Sequence, residues 1–151
     1  MVILVLMKTT DPPIIVEEIY NRPVAEVWSA ITELSQMRQW FFENIPAFEP
    51  RVGFEVSFDV VAPSRVFPHV WKIVEAIPDQ KITYDWNSGD AFEGAGLVTF
   101  ELFPEGNQTK IRLTNKITRD YPTGIPEFTT ESCRGGWNYF IKERLKAYIE
   151  I

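Results

Sequence analysis

Near its C-terminus the chain runs Gly135-Gly136-Trp137-Asn138-Tyr139-Phe140-Ile141-Lys142-Glu143-Arg144-Leu145-Lys146-Ala147-Tyr148-Ile149. Trp137, Phe140, Ile141, Leu145, Tyr148 and Ile149 fall three or four apart, which makes one apolar stripe on a helix. Each glycine ahead of the stripe costs a helix about 1 kcal/mol relative to alanine. Their position predicts close backbone approach, or space, on that side of the helix. On the first of these readings Gly136→Leu overpacks the contact and destabilises by about 1–3 kcal/mol. Strand-rich sequence precedes the helix, so the expected architecture is a sheet folded around a long closing helix. Such an arrangement leaves room for a cavity.

Upstream the hydrophobic period is two. Phe54, Val56, Phe58 and Val60 alternate with Glu55, Ser57 and Asp59, and Ile82, Tyr84 and Trp86 with Lys81, Thr83 and Asp85. Val98, Phe100 and Leu102 alternate with Thr99 and Glu101, and Ile111 and Leu113 with Lys110, Arg112 and Thr114. Each run reads as a strand with one wet face. Val66 to Ile77 is also a strand, but it is apolar on both faces and the pattern does not orient it. Turns at Pro78-Asp79-Gln80 and Pro104-Glu105-Gly106-Asn107 predict an antiparallel meander. Ile14 to Tyr20 is a first strand. Val24, Val27, Trp28 and Ile31 then form a buried helical face, with Pro23 in the first turn and Asn21 as the capping candidate. A second short helix, capped by Ser35, ends around Trp40 and Phe41. The rows Phe54/Phe58, Tyr84/Trp86, Phe100/Leu102 and Ile111/Leu113 are expected to face Trp137, Phe140 and Ile141.

The length of 151 residues gives one domain, assigned to residues 14–151 behind a tail at 1–13. Residues 1–7 are apolar but far short of the roughly 20 needed to span a bilayer, and they lack the marks of a signal peptide. Met7-Lys8-Thr9-Thr10 reads as the native start. A net charge of −6 without a basic cluster argues against a nucleic-acid partner. The single cysteine, Cys133, cannot form an internal disulfide, which favours a reducing, cytoplasmic setting. His69 is the only histidine, so every histidine-based mechanism must pass through it. No metal-ligand spacing, nucleophile elbow, phosphate loop or dinucleotide fingerprint is present, and no cofactor is expected.

Several segments together resemble the activator-of-heat-shock-protein-90-ATPase homologue-like family of the START-like, or SRPBCC, superfamily. They are Arg22-Pro23-Val24-Ala25-Glu26-Val27-Trp28-Ser29-Ala30-Ile31-Thr32, then Met37 and Trp40, and the strand-turn-strand Lys72 to Trp86. Gly135-Gly136-Trp137 and Leu145 close the set. The resemblance implies an α+β helix-grip (START-like) fold. In it a curved antiparallel sheet of about six strands wraps a long C-terminal helix, and two short helices follow the first strand. It also implies an apolar cavity between sheet and helix. The eukaryotic activators that name the family carry a separate chaperone-binding domain, for which this chain has no room.

The aromatic content of 14% suits either a filled core or an aromatic-lined pocket. The candidate ligand-binding set is Trp40, Phe41, Phe54, Phe58, Tyr84, Trp86, Phe100, Trp137, Phe140 and Ile141, with Tyr84 or Tyr139 as a hydroxyl anchor. The function this predicts is binding of a small apolar molecule, lipid-like or aromatic, without catalysis. A cyclase- or hydrolase-like enzyme using His69 or Asp85, and a module that partners a chaperone, are the alternatives. Asp85 and Arg112 are expected on the wet face.

Overall fold

The computed structural model describes residues 7–151; the expectation about the native start rests on residues 1–6, outside that range. β1 (Ile14–Tyr20) leads into α1 (Val24–Thr32) and α2 (Leu34–Trp40). β2 (Glu55–Val61), β3 (Val66–Ile77), β4 (Lys81–Asn87), β5 (Ala95–Glu105) and β6 (Gln108–Arg119) follow as a meander. A 3₁₀ turn (Pro126–Phe128) introduces the closing helix. That helix runs through α3 (Thr130–Asn138), a π-helical turn (Tyr139–Arg144) and α4 (Leu145–Ile149) without leaving helical dihedrals at the joins. The sheet is antiparallel throughout, in the order β1-β6-β5-β4-β3-β2. This is the helix-grip α+β architecture, with the closing helix in the concave face of a curved sheet.

The π-turn explains why the stripe stays in line. An ordinary helix turns about 100° per residue, so side chains four apart drift about 40° at every step. A turn closed by i→i+5 bonds is wider and lags that rotation. Trp137, Ile141, Leu145 and Ile149, each four after the last, are accordingly all buried. Such a turn leaves carbonyls without their usual partner, and Tyr20 at the end of β1 supplies one. Its hydroxyl donates to Ile141 O at 2.6 Å in the buried interior.

β3 can now be oriented. Phe67, Trp71 and Ile73 are buried, as the period of two requires, but Val74 is 41% exposed and the pairing with β4 shifts between Ile73 and Glu75. An extra residue at this β-bulge reverses which side chains face inward. Ala76 therefore sits opposite the fully buried Ile82, and Ile77 faces out. The bulge makes both faces look apolar in sequence.

The short helices begin without the expected side-chain caps. Pro23 is itself the N-cap of α1, one position ahead of the first turn, with ψ 159° and no capping bond. Asn21 instead gives its backbone N–H to Glu150 Oε2 at 2.9 Å. α2 starts at Leu34, so Ser35 is inside it; Glu33 is at once the C-cap of α1 and the N-cap of α2, with no side-chain capping bond. The pair is secured by Trp40, whose indole N–H donates to Ala30 O at 2.8 Å. The closing helix does have a cap, the Thr129 hydroxyl accepting from Ser132 N at 3.2 Å.

Tyr20→Phe tests the tie between β1 and the π-turn. It leaves the buried Ile141 carbonyl unpaired, and the expected loss is about 1–3 kcal/mol in chemical denaturation. The phenol's pKa is raised well above its ordinary value by burial, so its neutral form is favoured in the folded state. Its contribution is complete below about pH 10 and falls as pH rises beyond it. Alkaline denaturation should therefore separate native from variant less than denaturation at neutral pH does.

Candidate functional site

The interior divides into two hydrophobic clusters. The larger contains most of the aromatic rows, with Trp71 edge-on to Tyr84 at 5.0 Å and Phe41 stacked on Trp40 at 4.7 Å. The smaller gathers Met7, Phe67, Ile117 and Phe128 at the end of the sheet that holds the Ser88–Gly94 loop, with Tyr121 and Cys133 against it. Between them lies a cavity of about 270 Å³. The large cluster gives it Trp86, Val98, Trp137, Phe140 and Phe42; the small one gives it Met7, Phe67, Phe128, Tyr121 and Cys133.

Of the ten residues selected from sequence, Trp86, Trp137 and Phe140 line this cavity. Trp86 and Trp137 meet edge to face at 5.5 Å, one from β4 and one from α3. Trp40, Tyr84, Phe100 and Ile141 are almost fully buried among their neighbours in the large cluster. Phe54 packs on Phe48, and Phe58 stands edge-on to Trp71 at 4.9 Å. Phe41 lies behind the cavity wall, stacked between Trp40 and Trp71, while the next residue, Phe42, reaches the cavity. Phe42 had no signal in the pattern because it follows α2 in irregular chain. Tyr139 is 45% exposed, on the outer side of the helix.

The polar lining is sparse: His69, Ser88, Asn115, Tyr121, Glu127, Ser132 and Cys133. His69 lies on the inward side of β3, between Phe67 and Trp71, with Phe42, Phe58 and Trp86 around its ring. Its Nδ1 is 3.0 Å from Phe67 O, so Nδ1 carries the proton in the neutral ring and Nε2 is the acceptor. Burial is the main cause holding its pKa below the ordinary value. Asp85 points to the opposite face of the sheet, as the alternation requires, so His69 and Asp85 do not form an acid–base pair. Arg112 is likewise on the outer face, bonded to Glu17 at 2.8 Å. Burial pushes the Cys133 thiol up to about 11 and keeps it protonated and poorly nucleophilic. No cluster of three His, Cys, Asp or Glu side chains among the described residues has the geometry to hold a metal.

Glycines shape the wall and the mouth. Gly94 has φ +113°, and a Cβ there would overlap the Tyr121 ring, so both conformation and contact require glycine. Gly135 and Gly136 behave differently. Nothing lies within 4 Å of a Cβ built at either, so the close approach expected from sequence is absent and the space is present. Gly136 and Ser132 are exposed, one turn apart on α3, and both border the cavity; they form its rim. The expected overpacking by Gly136→Leu is corrected accordingly.

A family model described as Activator of Hsp90 ATPase homolog 1-like protein matches residues 21–150, and the chain belongs to that family. Among solved structures it is similar to protein CV1439 from Chromobacterium violaceum, with TM-score 0.76 and 20% identity over 92% of this chain and 97% of that one. The Aha1 dimer from Colwellia psychrerythraea gives TM-score 0.71 and 18% identity, over 93% of this chain and 98% of that one. CalU16 from Micromonospora echinospora gives 0.65 and 23%, over 97% and 84%. Identities this low carry the fold and nothing finer. No curated protein matches the chain.

Two measurements check this geometry. Gly136→Leu should leave stability unchanged or raise it by up to about 1 kcal/mol, through helix propensity, while obstructing the mouth. Loss of more than that in urea unfolding would mean the rim is packed. The His69 ring-proton NMR signal, which has no other histidine to overlap it, should titrate with a midpoint below about 6.5. A midpoint at or above that value would mean the ring is hydrated or beside an anion.

Proposed function

We propose that this family member binds a small, largely apolar organic molecule in the cavity between α3 and the inner faces of β3–β6. The observation that carries the reading is the cavity itself: about 270 Å³ bordered by Trp86, Trp137, Phe140, Phe42, Phe67 and Phe128, between the two hydrophobic clusters. Binding would come from apolar area removed from water, worth about 25 cal/mol per Å² before the costs of association.

The volume limits the guest. A dry apolar cavity of about 150 Å³ accepts benzene. The space here is less than twice that, which suits two fused rings and is too small for a sterol or a fully enclosed long-chain fatty acid. Rings also match the walls, since Trp86 and Trp137 offer a face and an edge at the separations aromatic pairs favour.

The test is an amide-shift NMR titration with naphthalene-sized compounds, a sterol and a long-chain fatty acid. The expected result is saturable shifts for the two-ring compounds, centred on Trp86, Trp137 and Phe140, and none for the sterol. Shifts confined to the outer face of the sheet, or no saturation by any compound, would overturn the assignment.

A further inference from the structure

One buried carboxamide on the cavity wall has an oxygen without a hydrogen-bond partner in the protein. β6 turns Ile111, Leu113, Asn115 and Ile117 toward the concave face, so a carboxamide stands where the pattern calls for an apolar side chain. Asn115 is only 8% exposed. Its Nδ2 donates to Cys133 Sγ at 3.3 Å, and its Oδ1 is buried and accepts nothing. The neighbouring strand leaves room for this oxygen. A Cβ at Gly96 of β5 would come within 2.6 Å of Oδ1, so the absent side chain lets the carboxamide lie where it does. Gly96 and Val98, opposite Ile117 and Asn115 in the pairing, belong to the same wall.

An unpaired buried acceptor keeps the full cost of its lost hydration. A guest that brings a donor removes that cost, and a guest that brings only acceptors adds to it. His69 on the same wall has the same polarity, since it spends its Nδ1–H on Phe67 O and is left with Nε2 as an acceptor, while the hydroxyls of Ser88, Tyr121 and Ser132 can donate or accept. Charge points the same way. No Lys or Arg borders the cavity among the described residues; the carboxylate of Glu127 does, with its own counter-charge in Arg65 Nε at 3.8 Å. An anionic head group would find no cation on the cavity lining, and the nearby Arg65 guanidinium is already paired with Glu127.

We infer that the cavity selects a compact, neutral aromatic molecule bearing a hydroxyl or N–H donor, with that donor set against Asn115 Oδ1. The inference rests on the ligand-binding reading above and adds polarity and orientation to it.

Calorimetric titration of the whole chain with three two-ring probes tests it: a naphthol, the corresponding methoxynaphthalene, and the naphthoate. The naphthol should bind at least about tenfold more tightly than the methoxy compound, the difference expected from one buried hydrogen bond made or refused. The naphthoate should be the weakest. In Asn115→Leu the naphthol should lose its advantage while the methoxy compound binds as well or better. The native-chain comparison stands by itself should the variant fold poorly. Equal binding of naphthol and methoxynaphthalene, tighter binding of the naphthoate, or an advantage that survives in Asn115→Leu would overturn the inference and leave the ligand-binding reading intact. If none of the three binds, both fall.

Discussion

The seating of the closing helix in the sheet is the contact from which the rest of the architecture follows. Its buried residues recur every fourth position over three intervals, a spacing that a regular helix would carry around to its side. The π-turn at Tyr139–Arg144 corrects the drift, and the carbonyl of Ile141 inside it is satisfied by a hydroxyl from the other end of the sequence. Tyr20 thus joins the first strand to the last helix where the helix departs from standard geometry. A wide turn without that donor would leave a polar group stranded in an apolar interior, so the aromatic residue and the irregular turn are one feature.

The same helix also protects an edge. β1 is the terminal strand of the sheet, and terminal strands expose backbone groups to pairing with other chains. Lys142 and Lys146 place their ammonium groups 2.7 and 2.8 Å from the carbonyls of Glu17 and Ile19 on that strand. Glu18 lies within 4.0 Å of both ammonium groups. One face of the helix thus fills the core while its flank occupies the strand edge with positive charge. As surface ion pairs these contacts contribute little to stability; their effect is on what else can dock there.

The periodic parts of this chain were readable because period reports burial directly. β2 and β6 alternate cleanly, β4 and β5 do so apart from Thr83, buried against Thr99, and the shifted pair Ala95/Gly96, and the stripe from Trp137 to Ile149 matches the buried face of the helix. The parts that escaped share a physical reason, which is that something interrupts the period or lies outside it. The bulge at Val74 hid the orientation of β3, and the joint role of Glu33 between α1 and α2 displaced the expected cap at Ser35. Phe42 and Phe128 reach the cavity from irregular or 3₁₀ segments, where spacing says nothing about direction. Asn115 could have been noticed as a polar residue in the inner row after Ile111 and Leu113. Its lack of a partner depends on β5 and α3, which no local pattern contains.

The glycine at the rim bears on whether the cavity is a site or a packing fault. Left dry and closed, a void of about 270 Å³ would cost up to about 6.5 kcal/mol at roughly 24 cal/mol per Å³. A domain of this size has only about 5–15 kcal/mol of net stability. Partial opening at Ser132 and Gly136 lowers that cost by admitting water, but it keeps Gly136 in a helix at a cost of about 1 kcal/mol. A side chain at Gly136 would meet no obstruction, and would recover helix propensity while covering apolar wall. Stability alone therefore favours closing the mouth. An open, aromatic cavity with an unpaired acceptor on its wall makes physical sense when a guest supplies the missing contacts, because the binding free energy then offsets what the empty protein forgoes.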